Sequence, residues 1–223
     1  AAESLEAAVE IQRQFVRSQI EAYVEQAKKV AELSVSKSEA VAQPVSNNAK
    51  AALDADIIIL CVKPYNIEHI LTEIKDELKG KLLISTVSGV SIEQMKNWIG
   101  EDVSIIRSMP NTAAEVEESL TCLSGEVSEE EFRIAEQLFQ AIGKTIRIQE
   151  NLMEAATVLG ACGIAYVLRF MRAMVQGGIQ IGFDAKTATE IVNQTVLGAA
   201  TLLDETNSHP EREIDKVTTP KGC

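Results

Sequence analysis

Glycine is missing from the first 45 residues of this chain, and proline first appears at Pro44. Backbone that closely approaches a phosphate usually needs glycine, so this segment excludes a glycine-rich phosphate loop of the G-x-G-x-x-G type. Alanine, glutamate, glutamine and lysine dominate here instead, and they favour a helix. Apolar residues recur near every 3.6 positions, which predicts an amphipathic helical segment over residues 1–43.

Positive charge is also scarce. Lysine and arginine number 21 against 33 aspartates and glutamates, which gives a formal net charge of −12. An acidic surface of this kind repels the phosphate backbone of nucleic acids. We therefore expect no nucleic-acid partner.

Closely spaced cysteines are absent as well. Cys61, Cys122, Cys162 and Cys223 lie far apart and form no C-x-x-C pair. The spacing argues against a zinc site, and we predict no metal. Apolar neighbours predict buried free thiols in a reducing compartment, and no signal peptide is recognisable, so we expect a cytoplasmic protein.

The chain has only two histidines, His69 and His209, and each stands alone. They are typical of surface or helix-end positions, and no combination of nucleophile, base and acid accompanies them. Hydride transfer needs no strong protein nucleophile, because the cofactor carries the chemistry. The sequence therefore fits a reductase better than a hydrolase, and we predict no catalytic side chain.

Strand-like and helix-like segments alternate from Pro44 to residue 149, which predicts an α/β domain with a mostly parallel sheet over residues 44–149. Ser91 and Gln94 are spaced to form a capping box at the start of one of these helices. The predicted strands span residues 55–64, 81–89, 102–110, 119–126 and 144–150. The predicted helices span residues 66–80, 92–100 and 128–143.

Residues 150–223 predict an all-helical domain. The stretch 155–175 is apolar nearly all round but contains Arg169 and Arg172, so it favours a buried soluble helix over a membrane span. So short a domain cannot bury such a helix alone, which predicts self-association. Asp184 is placed to cap the next helix, and residues 209–223 are expected to form a closing loop.

Polar turns follow three of the predicted strands: Lys63-Pro64, Ser88-Gly89 and Pro110-Asn111-Thr112. Each turn alone is typical of an ordinary strand-to-helix connection. In an open parallel sheet, however, ligands bind beyond the carboxyl ends of the strands. Together the three turns predict a site, in which the Asn111 amide donates and accepts hydrogen bonds and Lys63 faces an anion.

Four segments taken together resemble pyrroline-5-carboxylate reductases. They are "DADIIILCVKP", "STVSGVSIEQM", "IIRSMPNT" and the long run from "AYVLRFMRAMVQGGIQIGF" to "HPEREIDKVTTPKG". The resemblance extends from about Ser46 to Cys223. It implies a Rossmann-like domain, a helical dimerisation domain, and the reduction of 1-pyrroline-5-carboxylate to proline by NADP or NAD cofactors in their reduced form.

The same resemblance implies roles for individual residues. Asn48 corresponds to an asparagine near the adenosine ribose and its 2′-phosphate. The cofactor-binding segments are implied to contain Cys61, Val62, Lys63, Pro64, Ser88, Gly89, Pro110, Asn111 and Thr112. The loop that holds the substrate carboxylate is implied to contain Val217, Thr218, Thr219, Pro220, Gly222 and Cys223.

Two departures from this family pattern stand out. The family opens with a strand and a G-x-G-x-x-G loop, and beyond the position of Cys223 it has a substrate-contacting threonine and two more helices. Residues 3–45 resemble instead the closing helix of phasins, which coat polyester storage granules. The alternative hypotheses are therefore a weak or inactive reductase, a non-catalytic granule-associated protein on a truncated reductase scaffold, or another imine or β-hydroxyacid reductase.

Overall fold

The computed structural model describes residues 47–218, so the predicted N-terminal helical segment lies outside the described residues. The chain divides into two compact units, with the boundary between Cys162 and Gly163. The first unit contains a five-stranded sheet, and the second consists of helices. This order agrees with the predicted α/β domain followed by a helical domain.

The strands lie in the sheet in the same order as in the chain. β1, β2 and β3 are parallel neighbours, β4 runs antiparallel to β3, and β5 is parallel to β4. The mostly parallel sheet is therefore confirmed. The strands are β1 (Ile57–Leu60), β2 (Leu82–Ser85), β3 (Ser104–Met109), β4 (Ser119–Gly125) and β5 (Gly143–Arg147).

Helices connect the parallel strands and cover both faces of the sheet. The α-helices of the first unit are α1 (Asn47–Leu53), α2 (Ile67–Glu73), α3 (Ile92–Ile99), α4 (Glu129–Gln140) and the short α5 (Met153–Ala156). Leu83 and Ile105 pack on one face with α2 and α3, whereas Ile84 and Ile106 pack on the other face with α4. Both faces of the central strands are buried, which explains why apolar residues occupy successive positions at 82–84 in β2 and at 105–106 in β3.

Two capping boxes are present in the first unit, and the sequence predicts the first of them. Ser91 and Gln94 form the capping box of α3, with Gln94 N–H donating to Ser91 Oγ at 3.1 Å and Ser91 N–H donating to Gln94 Oε1 at 2.9 Å. Ser128 and Glu131 form an equivalent box at α4. These contacts satisfy backbone N–H groups that the first helical turn leaves free.

The predicted helix over residues 66–80 is wrong in its extent. α2 ends at Glu73, and a 3₁₀ helix at Lys75–Leu78 follows it. The break places Leu78 in the core, fully buried, before Gly80 turns the chain with a φ of +72°. Periodicity could not show this break, because Ile74 and Leu78 suit either geometry.

The second unit contains α6 (Gly163–Gln180), α7 (Ala185–Thr206) and α8 (Pro210–Val217). Asp184 caps α7 as predicted, accepting hydrogen bonds from the backbone of Lys186 and Thr187. The predicted closing loop is partly wrong, because α8 occupies its first half. His209 accepts a hydrogen bond from Glu211 N–H, and proline fits the first turn of a helix.

α6 leads on from a helical stretch that begins in the first unit. α5 is followed by a π-helical turn at Thr157–Ala161, where Cys162 N–H donates to Thr157 carbonyl oxygen. Within the described residues, one helical stretch, Glu150–Gln180, is long and apolar enough to cross a membrane, and an 18-residue window of it has a mean hydropathy of 1.6. Our expectation that it does not span one therefore stays a prediction.

Candidate functional site

Three polar turns lie beyond the carboxyl ends of β1, β2 and β3. Because these strands are parallel neighbours, the turns share one edge of the sheet, as the sequence predicts. They are formed by Cys61 to Pro64, by Ser88 and Gly89, and by Pro110 to Thr112. All three belong to the first unit, so their common placement follows from the sheet itself.

The turn after β1 presents Lys63 and Pro64 to solvent. Lys63 is extended, with φ −72° and ψ 146°, and Pro64 begins a 3₁₀ helix. Cys61 is exposed, which contradicts the prediction of a buried thiol, and Cys162 is exposed as well. Protein atoms near the Cys61 sulfur still raise its pKa through desolvation, and a hydrogen bond with Thr86 offsets part of that effect.

The turn after β2 is tied to the end of β1. Thr86 donates to the Leu60 carbonyl oxygen from both its backbone N–H and its hydroxyl, each at 2.9 Å. Gly89 follows with a φ of +76°, a conformation that favours glycine. A Cβ built on Gly89 would meet no atom within 4 Å, so the backbone here faces open space.

The turn after β3 is fixed by Asn111. Its side-chain Oδ1 accepts a hydrogen bond from Ala113 N–H at 3.0 Å, capping the 3₁₀ helix at Thr112–Val116. Its backbone N–H donates to Ser119 Oγ on β4, also at 3.0 Å. The side-chain oxygen of Asn111 therefore stabilises the conformation of this turn.

The remaining predicted site residues lie elsewhere. Asn48 is on α1, where its Nδ2 donates to Glu73 Oε2 at 3.3 Å. Val217 ends α8, and both the N–H and the hydroxyl of Thr218 donate to Ile214 carbonyl oxygen at 3.0 Å. The implied roles of these residues stay predictions. Thr219, Pro220, Gly222 and Cys223 lie outside the described residues.

An open cleft of about 540 Å³ adjoins the Ser88-Gly89 turn. Its polar lining includes a buried arginine, Arg107, that pairs with two carboxylates. The lining residues are Gly89, Ser91, Gln94, Arg107, Glu150, Asn151 and Glu154. Gly89 is the lining residue that the sequence predicts for the site, whereas the charged residues of the lining were not predicted. An arginine inside the apolar run of β3 is the signal that could have revealed them, because buried charge needs partners.

The two histidines occupy the positions that the sequence predicts. His69 is exposed on α2, and His209 is exposed at the start of α8. Neither belongs to the three turns.

Models of two known families match the chain. The pyrroline-5-carboxylate reductase dimerisation family matches residues 150–223. The family described as NADP oxidoreductase, coenzyme F420-dependent, matches residues 6–89. The second match includes most of the segment that resembles a phasin helix, and that resemblance stays a prediction.

The curated relatives of this chain are named pyrroline-5-carboxylate reductases. Pyrroline-5-carboxylate reductase 1 of Dictyostelium discoideum is 42% identical over 192 residues, which cover 80% of this chain and 35% of the relative. The Arabidopsis thaliana enzyme is 36% identical, over 79% of this chain and 65% of the relative. The Methanosarcina acetivorans enzyme is 35% identical, over 79% of this chain and 67% of the relative. The chain thus spans from about a third to two thirds of the length of these relatives.

Solved structures agree with these relatives. The pyrroline carboxylate reductase of Plasmodium falciparum, solved with NADP bound, has a TM-score of 0.76 at 28% identity and covers 84% of this chain and 72% of its own. The enzyme from Coxiella burnetii has a TM-score of 0.73 at 34% identity and covers 79% of this chain and 67% of its own. Sequence identity and fold therefore lead to the same conclusion: this chain belongs to the pyrroline-5-carboxylate reductase family.

Proposed function

We propose that the chain acts in the NAD(P)H-dependent reduction of 1-pyrroline-5-carboxylate to proline. The observation that carries the proposal is the shared placement of three turns at the carboxyl edge of β1, β2 and β3. This edge is where open α/β sheets bind their cofactors. By the family resemblance, the turns after β2 and β3 correspond to segments near the nicotinamide, and the turn after β1 corresponds to a segment along the cofactor.

The turns fit the nicotinamide end of the cofactor. Gly89 leaves open space where a side chain would stand, so a flat ring can approach the backbone there. Lys63 and Asn111 supply polar groups on either side of this turn. When bound, the reduced nicotinamide supplies the hydride, and the protein positions the two reactants.

The substrate carboxylate is assigned to the loop of Val217, Thr218 and the residues that follow. Backbone N–H groups in such a loop suit an anion, but the Thr218 N–H already donates to the Ile214 carbonyl oxygen, so the proposal assigns the carboxylate to N–H groups that follow Thr218. α8 ends at Val217, so the loop begins directly after a helix. This assignment rests on the family resemblance.

Self-association through the helical unit is part of the proposal. α6 has no buried residue, and apolar side chains on α6 and α7 remain exposed. Extensive exposed apolar surface on a single chain is typical of a protein interface. A second copy of this chain is the proposed occupant, since the matching family model describes dimerisation. We place the working protein in the cytoplasm.

Steady-state oxidation of NADPH tests the proposal. The first 45 residues contain no glycine to form the phosphate loop, so we expect weak cofactor binding and an apparent KM for NADPH well above the 1 µM–1 mM range usual for enzymes. At a fixed NADPH concentration, the rate of oxidation should depend on pyrroline-5-carboxylate and saturate with it. A rate that does not change when this substrate is added would contradict the proposal.

A further inference from the structure

Arg107 is a buried cation on β3, next to the apolar residues Ile105 and Ile106. It lies in β3 with an exposed fraction of 4%, and its register neighbours are Ser85 on β2 and Ser124 on β4. Its Nη2 lies 2.8 Å from Glu154 Oε1, and its Nη1 lies 3.5 Å from Glu150 Oε1. A buried guanidinium requires such partners, because burying an unpaired charge costs several kcal/mol.

Glu150 makes a second contact that Glu154 does not share. Its Oε1 also accepts a hydrogen bond from Ile92 N–H at 2.7 Å, and Ile92 is the first residue of α3. A carboxylate at a helix N-terminus is favourable, because it binds a free N–H group and meets the positive end of the helix dipole. One oxygen atom of Glu150 therefore contacts both β3 and α3.

The two residues that contact this oxygen are close in sequence to two of the turns in the candidate site. Ile92 follows the Ser88-Gly89 turn after two residues, and Arg107 precedes the Pro110-Asn111 turn after β3 by two residues. The two contacts therefore join the start of α3 to the end of β3. The sheet fixes the strands themselves, but not the angle at which each turn leaves its strand.

We propose that Glu150, held by Arg107, is a positioning residue that fixes the Ser88-Gly89 turn relative to the Pro110-Asn111 turn. The inference that the two turns are mechanically coupled depends only on the contacts of Glu150 with Ile92 and Arg107. Its consequence for hydride transfer rests on the proposed function, because these turns are the ones assigned to the nicotinamide. Small displacements of reacting groups cost up to about 100-fold in rate.

Glu154 provides a matched control. It makes the shorter of the two contacts with Arg107, yet within the described residues it makes no hydrogen bond to α3. Glu150→Ala and Glu154→Ala each remove one carboxylate from the same guanidinium. Only Glu150→Ala also removes the link to the start of α3.

Hydrogen–deuterium exchange of the full chain without cofactor tests the coupling. Glu150→Ala should raise exchange in peptides covering residues 86–91 and 108–113 by about tenfold, the effect of one lost hydrogen bond of ordinary strength. Glu154→Ala should leave residues 86–91 at the wild-type rate. Glu150→Gln keeps an oxygen that accepts from both Ile92 and Arg107, so exchange over both peptides should be close to the wild-type rate in this variant.

Two results would overturn the proposal. One is unchanged exchange over residues 86–91 in Glu150→Ala, and the other is an equal increase in Glu154→Ala. If Glu150→Ala does not fold, Glu150→Asp replaces it, because its carboxylate is one methylene shorter and retracts from Ile92. Glu150→Asp should then also raise exchange over residues 86–91, but by less than tenfold. Unchanged exchange there would count against the proposal.

An activity measurement separates positioning from simple stabilisation. At a fixed NADPH concentration, Glu150→Ala should lower the rate of NADPH oxidation by about 10- to 100-fold and Glu150→Gln should restore it, whereas Glu154→Ala should not lower it in this way. Equal turnover losses in both variants would contradict positioning. Failure of the wild-type chain to oxidise NADPH would count against the proposed function, whereas the exchange result decides the coupling independently.

Discussion

The backbone N–H of Asn111 donates a hydrogen bond to the hydroxyl of Ser119 at 3.0 Å. This contact joins the turn after β3 to the first residue of β4, so the loop between two antiparallel strands is closed by a side chain. The Asn111 side chain meanwhile caps the 3₁₀ helix within the same loop. The turn in the candidate site thus depends on two separate hydrogen bonds.

Replacing Asn111 separates its structural role from its proposed role at the cofactor. Asn111→Ala should lower stability by about 1 kcal/mol, the usual cost of losing a helix cap, and should lower turnover as well. Asn111→Asp keeps the capping oxygen but loses the amide donor. Its thermal unfolding should match wild type, while NADPH oxidation stays reduced. Wild-type turnover in both variants would remove Asn111 from the site.

Two buried hydroxyls on β4 differ in their partners, which predicts opposite effects on stability. Ser119 accepts the hydrogen bond from Asn111, whereas Thr121 Oγ1 has no hydrogen-bond partner among the described residues. Ser119→Ala should cost about 1–3 kcal/mol, because it leaves the Asn111 N–H unpaired. Thr121→Val should be neutral or raise the free energy of unfolding by about 1 kcal/mol. Urea unfolding of both variants measures the difference, and equal losses would contradict the assignment.

Glu131 should make stability depend on pH in the acidic range. Hydrogen bonds from Ser104 and then Ser128 lower its pKa below the ordinary value of 4.5. A lowered pKa in the folded protein stabilises the fold above the unfolded-state pKa, and that contribution is lost as the pH falls through the folded-state value. Glu131→Gln should therefore lower the melting temperature near neutral pH more than at pH values below 4.5. A difference independent of pH would contradict this linkage.

The apolar surface of the helical unit should hold protomers together. Phe170 on α6 is 64% exposed in the single chain, although phenylalanine is costly to leave in water. Phe170→Glu should shift the protein from oligomer to monomer in sedimentation velocity at micromolar concentration. Arg133→Glu also introduces a glutamate, at an exposed position on α4 of the other unit, and should leave the oligomer intact. A stable wild-type monomer would contradict self-association.

Much of the fold follows from local patterns in the sequence. The continuous apolar run over residues 55–64 predicts a strand, and β1 lies there, but its first three residues are half-buried rather than buried on both faces. The spacing of Ser91 and Gln94 predicts the start of α3. The strands are shorter than predicted, because the polar residues at their ends belong to turns. α8 was missed, since His209-Pro210 suggests a loop as readily as a helix start.

The candidate site was only partly predictable. The turns after β1, β2 and β3 could be placed because parallel strands bring their carboxyl ends to one edge. The contacts of Arg107 with Glu150 and Glu154 could not be placed, because they join residues 43 and 47 positions apart. Long-range pairs of this kind leave no periodic signal. The exposure of Cys61 was missed for a similar reason, as apolar neighbours in sequence do not reveal what covers a side chain in space.

The transfer of deuterium from NADPH to product tests the central claim most directly. NADPH labelled with deuterium at the transferable position of the nicotinamide is incubated with the full chain and 1-pyrroline-5-carboxylate, and the proline formed is analysed by mass spectrometry. We expect one deuterium on the ring carbon that was double-bonded to nitrogen, and a lower yield with Asn111→Asp. Proline without deuterium, or no proline above the rate without protein, would contradict the account.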